Sequence, residues 1–104
     1  MSNYCVSFRV GDQTVGGQTY TDRYNRLIDN AFDGSQGYWD ETTAFLLVGS
    51  SLSTPDFAKK VCAGLSLQHD MVFIFDPSDM SANYFGPFEH AEALVSFFPR
   101  AKKL

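Results

Sequence analysis

The sequence predicts an α+β domain on a split βαβ pattern: four strands in one antiparallel sheet, with two helices on one face. Three observations carry this expectation. Tyr4, Val6, Phe8 and Val10 alternate with Cys5, Ser7 and Arg9, a period of two. Tyr20, Tyr24, Leu27, Ile28 and Ala31 recur at helical spacing, as do Phe57, Ala58, Val61, Cys62 and Leu65. A pair of extended segments separates those helices, and the apolar run MVFIF follows the second.

The first strand, over 4–10, has one strongly apolar face. Gly11-Asp12 and Gly16-Gly17 end it and open a flexible connection. Thr19 is placed to cap the first helix, with Asp22 three residues on as the acid of a capping box. Asp33-Gly34 and Gly37 stop that helix. Residues 38–50 read as two short strands, 38–41 and 43–49, joined by a bend, or as one long bent strand. Ser53 or Thr54 caps the second helix, and Pro55 falls in its first turn, where a missing N–H costs nothing. Lys59 and Lys60 face water. Gly64 weakens the last turn by up to ~1 kcal/mol relative to Ala. MVFIF suits a strand covered on both faces or one in a dimer interface. Asp76-Pro77-Ser78-Asp79 reads as a turn, and 83–85 as a short edge strand. Pro87 opens a third helix, striped by Phe88, Ala91, Leu94, Val95 and Phe98, and Pro99 closes it. The basic tail 100–104 is expected to fray.

The 104 residues suit one domain, with a core at 4–77 and a C-terminal extension at 78–104. Hydrophobic residues at 44% and charged residues at 19% place the chain in the globular class. A net charge of −4 argues against a general electrostatic nucleic-acid binder. Ten Phe, five Tyr and one Trp fill a core with some left over for a partner. No apolar run reaches the ~20 residues that span a bilayer, and the first residues lack a secretory pattern. A cytoplasmic location without a membrane partner is the expectation. Cys5 and Cys62 are too few for a disulfide scaffold and are not spaced as a metal knuckle.

Four stretches, "YCVSFRV", "YTDRYNRLI", "YWDETTAFLLVGSSLSTPDFAKKV" and "HDMVFIFDP", resemble in order and spacing the small ferredoxin-like proteins of the CRISPR-associated Cas2-like family, nearest its SinR-like and VapD-like relatives. The resemblance spans roughly 4–77. It implies a ferredoxin-like βαββαβ sandwich and a homodimer. It further implies either a metal-dependent nuclease or a scaffold without required catalysis. The family's acid stands at the end of the first strand and meets its twin across the dimer axis, where a divalent cation relieves the repulsion of two carboxylates and activates water. On this chain that position aligns with Arg9, which cannot ligate a cation.

The candidate residues follow. Arg9 is read either as an ion-pair partner of Asp76 or Glu41, or as a phosphate or carboxylate anchor, since guanidinium pairs bidentately with both. Arg23 and Arg26 lie three apart on one side of the first helix, as a solvated face or as a patch continuous with Arg9. Asp12 and Asp76 are the catalytic candidates if the chain is a nuclease. Asp76 and Asp79 otherwise serve the turn they frame. His69 and His90 match no metal motif. Tyr38-Trp39 and Tyr84-Phe85 are aromatic pairs at strand ends.

The leading expectation is a Cas2-like homodimeric binding or scaffold protein that has lost the nuclease centre and needs no cofactor. The alternatives are a metal-dependent endoribonuclease using Mg²⁺ or Mn²⁺, and an antitoxin- or inhibitor-like module that binds another protein through its acidic surface and aromatic edge. RNA, DNA and protein stay open as partners.

Overall fold

Alternation in the first segment produces the central strand of the sheet. In the computed structural model, which describes residues 1–104, β1 spans Ser2–Arg9. It is followed by α1 (Tyr20–Phe32), β2 (Tyr38–Trp39), β3 (Phe45–Ser50), α2 (Thr54–Cys62), β4 (Met71–Phe75), β5 (Ala82–Phe85), α3 (Ala91–Phe97) and β6 (Ala101–Lys103). The strands form one sheet in the order β2-β3-β1-β4-β5-β6. Every neighbouring pair is antiparallel except β5 and β6. The fold is thus α+β with three helices and six strands in one open sheet, where the sequence led us to expect four.

The two helix starts form as their capping residues dictate. The Thr19 hydroxyl accepts from the Asp22 N–H while the Asp22 carboxylate accepts from the Thr19 N–H, closing a capping box. Ser53 caps α2, with Pro55 in its first turn. α2 stops at Cys62, earlier than its apolar stripe suggests, because Gly64 turns the chain into the left-handed region at φ +86°. β2 is likewise shorter than expected. The chain bends through 42–44, where Ala44 takes φ +56°.

One face of the sheet meets α1 and α2. Cross-strand register sets Tyr4 beside Val48, Val6 between Leu46 and Ile74, and Phe8 beside Val72. All are buried with Leu27 and Ala31 of α1 and Phe57, Ala58 and Val61 of α2. Tyr4 and Phe57 stack with ring centroids 4.5 Å apart, and the Tyr4 hydroxyl donates to the carbonyl of Leu52 at 2.7 Å.

The C-terminal extension completes the sheet. The tail expected to fray is strand β6. Its Lys102 carbonyl accepts from the Asn83 side chain at 3.2 Å, the Leu104 N–H donates to the Tyr84 carbonyl at 2.9 Å, and Arg100 Nη1 donates to the carbonyl of Asp79 at 2.9 Å. α3 crosses the face opposite α1 and α2. Phe98, just past its end, packs against Phe73 and Phe75 of β4, each at a centroid distance of 5.0 Å. The opposite face is therefore covered over β4 and left open over β2, β3 and β1.

Truncating Phe57 removes a fully buried ring stacked on another. Phe57→Ala is expected to cost about 3–5 kcal/mol, read as a lowered urea midpoint at unchanged slope.

Candidate binding face and the buried arginine behind it

The open part of the sheet is built by register. On the face away from α1 and α2, Trp39 pairs with Leu47, Leu47 with Cys5, and Cys5 with Phe75. A second row runs Phe45, Ser7, Phe73, Tyr84. Trp39 is 37% exposed and Leu47 39% exposed, large for apolar side chains. Between β1, β3 and β2 lies a groove of about 410 Å³ lined by Trp39, Leu47, Cys5, Asn3 and Pro77. Tyr38 points to the other face, where it stacks on Phe32 at 3.9 Å. A second cleft of about 310 Å³ separates β1 from α3 and is lined by Ser7, Arg9, Met71, Phe73, Phe88 and Leu94.

The two edge strands of the sheet differ in the charges that adjoin them. Asp29, Asp33, Asp40, Glu41 and Asp56 are the charged residues between Leu27 and Ala58, with no Lys or Arg among them. After Glu92 the charged residues are Arg100, Lys102 and Lys103 alone. Asp40 and Glu41 directly follow the β2 edge strand, whereas Asp56 belongs to α2, which packs against β4 and β5. Lys102 and Lys103 lie in the β6 edge strand, and Arg100, just before it, meets Asp79 at 3.7 Å.

The five candidate residues do not converge. Arg9 forms no ion pair with Asp76 or Glu41. Its exposed guanidinium donates from Nη2 to the sulfur of Met71 at 3.0 Å, because Met71 is its register partner on β4. Asp76 lies beyond the far end of that ladder, next to Phe75, which pairs with Cys5. Asp12 is exposed just past the opposite end. Asp12 and Asp76 are thus held apart by the length of the β1/β4 pairing, and no three His, Cys, Asp or Glu side chains cluster anywhere in the chain. The residues present in one chain do not fit a divalent cation.

Arg23 is the largest departure from the sequence reading. It belongs neither to a solvated face nor to a phosphate patch: its side chain is 1% exposed and that of its partner Asp70 is 0% exposed. Nε donates to Asp70 Oδ2 at 2.9 Å and Nη2 to Oδ1 at 3.3 Å. Nη1 donates to the carbonyls of Gln13 at 2.8 Å and Gln18 at 2.7 Å, and Nη2 also to the carbonyl of Gly11 at 2.8 Å. All five guanidinium donors are engaged. Asp70 in turn accepts from the N–H groups of Gly11 at 2.9 Å and Ser66 at 2.8 Å. Gly86, at φ +104°, passes so close that a Cβ there would overlap the carbonyl oxygen of Asp70. A signal for burial was present in the sequence: Arg23 falls three residues after Tyr20 and four before Leu27, on the apolar stripe of α1. Arg26 is exposed and lies across Gly64.

Asp76 accepts hydrogen bonds within its own turn. Burial pushes its carboxyl upward, but the hydroxyl and N–H of Ser78 and the hydroxyl of Ser2 donate to it and prevail, so it sits below the ordinary carboxylate value. Asp79 is lowered in the same manner by the hydroxyl and N–H of Ser81. Of the two thiols, Cys62 is buried and pushed up to about 12, and half-buried Cys5 is raised mainly by burial, so neither is an activated nucleophile. His69 is exposed, and His90 is exposed beside Glu92 at 3.8 Å.

Removing one partner of the buried pair strands the other charge. Arg23→Ala and Asp70→Ala are each expected to cost about 3–5 kcal/mol in denaturant unfolding. Arg23→Lys rescues little, because three donors on one atom cannot reach the four acceptor groups that the guanidinium fork spans.

A second expectation concerns acid. Since the folded pKa of Asp76 lies below its unfolded value, its contribution is in place above the unfolded value and is lost as pH falls through the folded one. Ser78→Ala removes one opposing donor, the hydroxyl, and leaves the Ser78 N–H, the Ser2 hydroxyl and the burial in place. The Asp76 carboxyl is then expected to titrate at higher pH by carbon-detected NMR, with acid unfolding beginning at correspondingly higher pH.

No helix is long and apolar enough to cross a membrane. Comparison with protein-family models, curated proteins and solved structures gives no match for the chain.

Proposed function

We propose that this chain is a non-catalytic binding or scaffold protein on a ferredoxin-like core, as the Cas2-like resemblance implies, and that it engages a protein partner through the open part of its sheet. The strand order β2-β3-β1-β4, antiparallel throughout, with α1 and α2 against one face, supports the ferredoxin-like reading. The observation that carries the binding reading is the row of exposed Trp39 and Leu47 beside half-buried Cys5, on a face whose other half α3 already covers. A contiguous apolar row beside an acidic rim has the make-up of a protein interface, with an aromatic centre and a polar margin.

Charge favours protein over nucleic acid. Asp40 and Glu41 adjoin the open face, and of the three arginines expected to meet phosphate, Arg23 has no free donor. The nuclease alternative needs carboxylates that converge, and Asp12 and Asp76 stand at opposite ends of one ladder.

Incubation with structured and with single-stranded RNA, in Mg²⁺, Mn²⁺ or EDTA, is expected to leave the RNA intact and unbound at physiological salt. Metal-dependent cleavage lost in Asp12→Asn would overturn this reading, as would salt-sensitive RNA binding that weakens in Arg9→Ala.

A further inference from the structure

The two free edges of the sheet are opposite in charge and run in the same direction. β2 is parallel to β1, both being antiparallel to β3; β5 is parallel to β1, both being antiparallel to β4; and β6 is parallel to β5. A second copy set beside the first in the same orientation therefore brings β6 of one alongside β2 of the other as a parallel pair. Each edge offers outward-facing main-chain groups that an added strand can take up.

Charge selects among the pairings. Two β2 edges meeting would oppose Asp40 and Glu41 to themselves, and two β6 edges would oppose Lys102 and Lys103. Only β2 against β6 joins unlike signs, and none of these four side chains is neutralised within its own chain. An apolar complement lies on the same side of the sheet. Phe97, at the end of α3 and four residues before β6, is 77% exposed. The groove of Trp39 and Leu47 lies at the β2 end of the face that α3 crosses.

We propose that copies of this chain associate head to tail, the Lys102/Lys103 edge of one adding to the Asp40/Glu41 edge of the next, with Phe97 meeting the Trp39 groove. The inference rests on reading the β2 end as a protein-docking surface, and it names a second copy as the occupant. The homodimer that the sequence resemblance implies becomes an open contact, since a surface that joins a different surface of its copy does not close on itself at two. Each copy extends the sheet by about 29 Å, at ~4.8 Å per strand. The right-handed twist of the strands turns successive copies into a helical array. With only two and three residues in the pairing strands, the contact is reversible and salt-sensitive.

Sedimentation velocity over a wide concentration series tests this. The average mass is expected to climb through dimer to larger species as concentration rises, and to fall at high salt. Lys102→Glu with Lys103→Glu is expected to abolish the climb, as is Asp40→Lys with Glu41→Lys. All four changes in one chain are expected to restore it, with circular dichroism unchanged throughout. A mass fixed at monomer, a mass that stops at dimer, or single-edge reversals that associate as the parent does would overturn the proposal. Acrylamide quenching of Trp39, the sole tryptophan, separates the two levels of failure. Association that shields Trp39 yet survives edge reversal overturns the head-to-tail contact and keeps a docking surface at β2. Association that leaves Trp39 open to quencher overturns both.

Discussion

The guanidinium of Arg23 holds the fold together at the point where the chain is least regular. It joins the first turns of α1 to the loop after β1 and to the residue just before β4, from a side chain that is itself buried. Three backbone carbonyls of the 11–18 connection find their donors on this one side chain. Without it the carbonyls of Gly11 and Gln13 would lose this donor, and that of Gln18 would keep only the Val15 N–H. Desolvating the pair is costly, and Coulomb attraction alone seldom repays such a cost. What the arrangement provides is a complete set of partners: five donors, five contacts, and an Asp70 carboxylate further fixed by two N–H groups. That completeness fixes the exit of β1 relative to the entry of β4, and hence the register of the central ladder.

From that ladder the asymmetry of the sheet follows. α1 and α2 fill one face with a continuous core, and the second face receives a single short helix that arrives late in the chain. α3 has no buried residue of its own, and its anchorage comes from Phe98 and Phe88 against Phe73, Phe75 and Tyr84. The surface left over is aromatic at β2 and β3, small and polar along β1, and bounded by acids. A cover of this kind leaves an interface with a defined border instead of a whole exposed sheet.

Much of the architecture was legible because local rules and burial agreed. MVFIF became a strand within its own limits, Thr19 and Asp22 closed their box, and Ser53 with Pro55 began α2. The elements that sequence reasoning misjudged are those whose cause is remote. β6 has two lysines and no alternation; it is a strand because β5 offers it a free edge and Asn83 a side-chain donor. α2 ends at Cys62 although its stripe continues to Leu65, since Gly64 governs the backbone there. Arg23 was misplaced because residue type outweighed position: the helical stripe marked it as inward, and only Asp70, 47 residues away, makes an inward arginine tolerable. The same distance problem separates Asp12 from Asp76, because two acids near strand ends meet only if those ends lie on the same side of the sheet.

The place of β1 at the centre of the sheet governs how this protein can form. Its partners are not neighbours in sequence: β3 begins at Phe45 and β4 at Met71. The first strand to be synthesised is thus the one with the longest wait, and its apolar face stays without its final cover until most of the chain has appeared. Sheets whose pairings are this non-local fold slowly, because long loops must close before their contacts form. By the same geometry, loss of the first nine residues would remove the middle of the sheet and divide the remaining strands into two blocks with no hydrogen bonds between them.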